Sequence, residues 1–107
     1  MKTKTHTEDS TIAGLRQAVE KLHGCLASWI EEVPVREIFQ EKKVWDGTVH
    51  VFDLTGHPKA KRAYAWSSPM PGSSKHRFFA ILNLPPVFSA RDAVRAAIVQ
   101  EYRTRHD

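Results

Sequence analysis

The run Arg62-Ala63-Tyr64-Ala65-Trp66 restricts the fold more than any other stretch of this chain. Side chains along a strand alternate between two faces. A strand here is therefore small on one side, with Ala63 and Ala65, and bulky on the other, with Arg62, Tyr64 and Trp66. The same alternation recurs in His76–Leu84, where Phe78, Ala80 and Leu82 oppose Arg77, Phe79 and Ile81. A helix can approach small residues closely, so the alanine side is the expected inner face. The aromatic side is then left outward.

Three strands are expected around this pattern. Thr48–Leu54 is β-branched and aromatic, Lys61–Ser67 is the alternating strand, and His76–Leu84 is the third. Thr55-Gly56-His57-Pro58 marks the first turn, and the segment from Ser68 to Ser74, with two prolines, marks the next loop. Short connections make consecutive strands antiparallel neighbours. Pro85-Pro86 closes the sheet.

A helix is expected before the strands. After Ser10 as cap, Ile12, Leu15, Val19, Leu22, Leu26, Trp29 and Val33 recur at alternating steps of three and four. The pattern predicts one helix over 10–33, ended by Pro34. At 1.5 Å per residue it would be about 36 Å long, against about 23 Å for a seven-residue strand. The overhang either bends near Gly24 or packs on a second copy, and the second copy is the preferred expectation. Val35, Ile38 and Phe39 fit a short second helix, with an extended run into Trp45 as the competing reading. The last helix starts at Ser89, with Asp92 three residues on as an Asp variant of the capping box. Val94, Ala97, Ile98 and Tyr102 form its narrow apolar face. The order gives an α+β domain of two layers: a three-stranded antiparallel sheet with a long N-terminal helix and a C-terminal helix on one face.

At 107 residues the chain is read as one domain over 10–107, preceded by a disordered tail over 1–9. Its single cysteine, Cys25, excludes an internal disulfide and suits a reducing cytoplasm. No long apolar run predicts a membrane span. The net charge of +4 is uneven, because residues 34–107 carry 12 basic against 7 acidic side chains. Between Leu54 and Ala90 no acid occurs, while Lys59, Lys61, Arg62, Lys75 and Arg77 all fall there. Such a patch either attracts phosphate or an acidic partner, or reflects only basic loops.

Three uses compete for the outward aromatic face. The first is a homodimer formed by pressing two such faces together, or by a helix crossing the partner's sheet. The second is single-stranded nucleic acid, with bases on Tyr64, Trp66 or Phe79 and phosphates at Arg62, Arg77, Lys61 and Lys75. The third is a small-ligand pocket between sheet and long helix. The candidate binding residues are Arg62, Tyr64, Trp66, Arg77, Phe79 and Lys75. The leading expectation is a non-enzymatic homodimeric binding module, with a nucleic-acid binder as the alternative.

No metal or cofactor is expected. His50 and Asp53 point to opposite faces of a strand, and His57 belongs to turn chemistry. Cys25 adjoins His23 in sequence, but adjacent helical residues do not face each other, so it reads as a small buried thiol.

Three resemblances add expectations. The run Gly72-Ser73-Ser74-Lys75-His76-Arg77-Phe78 resembles a segment of small toxin ribonucleases of the HicA type, which implies RNA cleavage by His76. The helix–strands–helix order is similar to the double-stranded RNA-binding domain, whose basic cluster would fall at Arg91 and Arg95, with acidic Asp92 between. The segment from Trp45 to Pro58, with Ala63–Trp66 and Ala96–Val99, is similar to a group of small bacterial proteins carried on mobile elements such as integron gene cassettes. That likeness implies a cytoplasmic accessory protein and no known site.

Overall fold

In the computed structural model, which describes residues 10–70 and 72–106, the chain is an α+β domain with two helices and four strands. The expected tail over 1–9 lies outside the described residues. The elements are α1 (Ser10–His23), β1 (Leu26–Phe39), β2 (Lys42–Thr55), β3 (Arg62–Pro69), β4 (His76–Leu82) and α2 (Ala90–His106). The strands form one antiparallel sheet in the order β1-β2-β3-β4, so every strand lies beside its neighbour in sequence.

The long N-terminal helix is corrected to 14 residues. Gly24 takes a φ of 64°, and its N–H donates to the Glu20 carbonyl at 2.8 Å. This is a left-handed helix terminus, which glycine adopts at little cost. The Glu20 carboxylate then accepts from the Ala27 N–H at 2.8 Å and ties the helix end to the start of β1. The three-four spacing continues through Leu26, Trp29 and Val33, but those residues lie in a strand. The sheet therefore has four strands rather than three. No overhang remains for a second copy to cover. Pro34 is accommodated because β1 is an edge strand, where a missing N–H need not break a ladder.

The short second helix expected over Val35–Phe39 is corrected to strand, as in the competing extended reading, but a hairpin divides that segment from Trp45. Gln40 and Glu41 turn the chain with φ values of 52° and 65°. Two left-handed residues in a two-residue loop match the twist of the flanking strands. Ile30 and Val44 are extra residues at two shifts of the β1–β2 register.

The helices pack on opposite faces of the sheet, which corrects the two-layer expectation to three layers. Leu15 and Val19 of α1 bury against Phe52, Ala63, Ala65 and Ala80, as the small face predicts. Ala90, Ala93 and Val94 of α2 bury against Val35, Val49, Val51, Tyr64 and Trp66. Tyr64 is 4% exposed and Trp66 is 3% exposed, so the aromatic side is interior and not an open surface. Burying each such ring contributes roughly 1.5–3 kcal/mol, which explains why the apolar stripe of α2 covers this face.

The start of α2 is capped as expected. The Asp92 N–H donates to Ser89 Oγ at 3.1 Å, and the Phe88 N–H donates to Asp92 Oδ2 at 3.0 Å. Glu37 of β1, only 9% exposed, accepts from Arg91 and from Arg95, the latter at 2.5 Å. Arg91 also donates to the Arg36 carbonyl at 2.9 Å. These arginines fasten α2 to the β1–β2 hairpin. Among the described residues, no helix is long and apolar enough to cross a membrane.

Candidate functional site

The sheet is not continuous along its length. β2 pairs with β3 only from His50 to Asp53, opposite Ala65 to Arg62. Beyond that seam β2 continues to Lys42 paired with β1, while β3 continues to Pro69 paired with β4. The two hairpins diverge, and the gap between them is a cleft of about 440 Å³. That volume lies within the range of small-ligand pockets.

Aromatic rings form the wall of the cleft beneath α2. Trp45 and Trp66 meet edge to face with centroids 5.6 Å apart. Trp66 lies parallel to Phe79 at 5.2 Å. Gly47 makes room for this group, because a Cβ there would come within 3.1 Å of the Trp45 ring. Ala97, Ile98 and Tyr102 close the helical side. At the mouth the Arg77 guanidinium sits 4.9 Å over the Phe79 ring and 3.7 Å from the Glu101 carboxylate. An apolar or planar group entering here would meet ring faces within and one charge of each sign at the rim.

Of the six candidate residues, Trp66, Arg77 and Phe79 come together at this cleft. Arg62 and Tyr64 do not. They line a separate depression near Phe88–Arg91, at the other end of the α2 face. Arg62 pairs with Asp53 at 3.4 Å, and the Tyr64 hydroxyl donates to Asn83 Oδ1 at 3.3 Å. Burial pushes the Tyr64 hydroxyl pKa up, with Arg62 opposing the shift. Lys75 stays exposed in the β3–β4 loop, where its N–H donates to Ser73 Oγ at 3.0 Å. A homodimer or a nucleic acid seated on open Tyr64 and Trp66 rings loses its surface, because α2 already occupies it.

Sequence reasoning missed Trp45, Glu101 and Tyr102 as cleft residues. A signal for them existed: the stripe Val94, Ala97, Ile98 and Tyr102 needed an apolar surface, and the aromatic sheet face was one. Arg91 and Arg95, where the basic cluster of a double-stranded RNA-binding domain would fall, are held by Glu37. Hydrogen bonds from Arg95 hold the Glu37 carboxyl below the usual carboxylate range, and burial opposes them less strongly.

His23, His50 and His57 are engaged in the fold. His57 Nδ1 accepts from the Lys59 and Ala60 N–H groups at 3.0 and 2.9 Å, which is the turn role expected of it. Trp29 Nε1–H donates to His50 Nδ1 at 3.1 Å. His23 Nε2–H donates to the Ala80 carbonyl at 2.9 Å. His76 is exposed at the start of β4, opposite Pro69. Cys25 lies in the turn between α1 and β1 and is half-buried, which corrects the expected buried helical thiol; burial, with the charge of Glu20, pushes its pKa up. No group of three or more metal-binding side chains occurs among the described residues.

No family model, curated protein or solved structure matches this chain, so the likeness to mobile-element proteins gains no support from such comparisons.

Proposed function

We propose that this protein is a binding module that receives an apolar or aromatic group in the cleft between its two hairpins, without a catalytic step of its own. One observation carries the reading: Trp45, Trp66 and Phe79 are stacked into a wall beside about 440 Å³ of open space. A fold needing only a closed core would bring the hairpins together there. The reading keeps the cytoplasmic accessory role implied by the likeness of Trp45–Pro58 to bacterial mobile-element proteins.

Indole, a planar apolar probe, tests the proposal by NMR titration. The expected result is chemical-shift change at the Trp45 and Trp66 indole N–H signals and at Ala97 and Ile98. Ala97→Phe, which fills the cleft from the helical side, should abolish it. Shifts confined to other surfaces, or none, overturn the proposal.

A homodimer is a second reading, now on a different surface. Ile38 and Phe39 at the tip of the β1–β2 hairpin are 61% and 65% exposed, and Val44 beside them is also exposed. Apolar side chains grouped in this way favour a protein contact. Light scattering that gives a monomer mass at the highest soluble concentration removes this reading.

A further inference from the structure

The cleft has a property that its aromatic wall alone does not explain. From Val44 to Val49, β2 has β1 on one side and no strand on the other. Backbone N–H and C=O groups on that side face the notch between the hairpins, and strand backbone left unpaired is a template for another strand. Six residues of strand offer about 20 Å of edge.

The outer edge at β1 differs. β1 carries Pro34, the extra residue Ile30 and the charges Glu31, Glu32 and Arg36, which are features that discourage added strands. On the far side of the notch, β3 ends in Pro69, which has no N–H to offer. β4 is the other outer edge of the sheet, but the aromatic cleft lies against the β2 edge, so that edge has a side-chain pocket beside it.

Charge indicates the occupant. Arg77 lines the notch, Lys42 and Lys43 precede its edge on β2, Arg36 reaches Asp46 of that edge at 3.9 Å, and Lys75 and Arg103 are exposed in the β3–β4 loop and on α2. The nearby acids are Glu41, Asp46 and Glu101, of which Asp46 is engaged by Lys43 at 3.3 Å and Glu101 by Arg77 at 3.7 Å. The surplus is basic, so an acidic chain is favoured at the rim. Nucleic acid fits less well. Bases need open ring faces, whereas Trp66 is 3% exposed and already stacked on Phe79.

We infer that the notch binds an extended acidic peptide, which adds as a strand along Val44–Val49 and lays one apolar side chain in the cleft beside the Trp45–Trp66–Phe79 cluster, against Trp45, Ala97 and Ile98. This rests on the binding-module reading of the cleft and names its partner. Main-chain hydrogen bonds supply affinity in such complexes, and side-chain pockets supply choice.

The probe is a phage-displayed library of random nine-residue peptides panned on the whole protein, followed by titration of the enriched peptide. Enriched sequences should carry acidic residues around one aromatic or aliphatic residue. Binding should slow hydrogen exchange at the Val44–Val49 amides. N-methylating one of the two alternating sets of peptide amides should weaken binding about tenfold or more. Lys42→Glu with Lys75→Glu, both on exposed sites, should weaken it similarly, and so should added salt. Enrichment of basic or uncharged peptides, indifference to N-methylation, or no enrichment overturns the inference. Protection of the same amides by oligouridylate and not by peptide overturns it in favour of nucleic acid. If indole still shifts the Trp45 and Trp66 signals when no peptide binds, the cleft reading stands and only the strand-addition inference fails. If indole also has no effect, both fail.

Discussion

Two single residues illustrate opposite uses of local chemistry. Glu37 is nearly buried and its charge is compensated by Arg91 and Arg95, so its folded-state pKa lies below its ordinary value. A depressed carboxyl pKa contributes stability that is fully present above the unfolded value of about 4.3 and is lost as pH falls through the folded value. Glu37→Gln should lower the thermal midpoint at neutral pH and shrink the loss of stability on acidification, as followed by circular dichroism from neutral pH into that acid window. Gln40 and Glu41 are strained instead, since a side chain in left-handed backbone costs roughly 1–2 kcal/mol. Replacing the pair with Asn-Gly should raise stability by about 1 kcal/mol in urea unfolding without changing the slope. Neither role could be read from the sequence. Glu37 falls among charged residues of an edge strand, and its partners come from a helix more than fifty positions away. Gln-Glu carries none of the composition that marks a hairpin turn.

The elements show where periodicity informs and where it misleads. Ser89 and Asp92 located the last helix, and the alternation of Arg62–Trp66 divided those side chains correctly between two faces, although the aromatic face is interior rather than outward. The first helix was over-extended because the three-four spacing survives past its end. Gly24 stops it, and there the glycine counts as a helix terminus rather than as a mild internal penalty. Gly24→Ala meets no neighbouring atom within 4 Å, so its cost is conformational alone. It should destabilise the protein by about 1 kcal/mol, read as a lower urea midpoint. Phe52 sits under α1 with no exposure, and Phe52→Ala should cost about 3–5 kcal/mol by the same measurement.

For the molecule as a whole, composition and alternation fixed the α+β class and the antiparallel order, but they could not place α2. An amphipathic helix after a sheet can cross to either face, and the alanine side seemed the more receptive. α1 claimed that side, and Tyr64 and Trp66 left the other side with the larger apolar area to bury. Of the anticipated site, Tyr64 therefore became core and Arg62 and Lys75 lie elsewhere at the surface, while Trp66, Arg77 and Phe79 meet at a cleft formed where the hairpins part. Single-tryptophan variants should separate these environments. A chain keeping only Trp66 should resist acrylamide quenching, and one keeping only Trp29, which is 39% exposed, should be quenched readily.

Sequential strand order also bears on how the chain is born. Each hairpin can zip as soon as it leaves the ribosome, since its partner is the next segment made. α1 emerges first, yet Leu15 and Val19 rest on Ala63, Ala65 and Ala80, the last of which is synthesised some sixty residues later. The leading helix therefore has only part of its seat, Ala27 and Phe52, until β3 and β4 have been translated, and its docking is completed late in assembly.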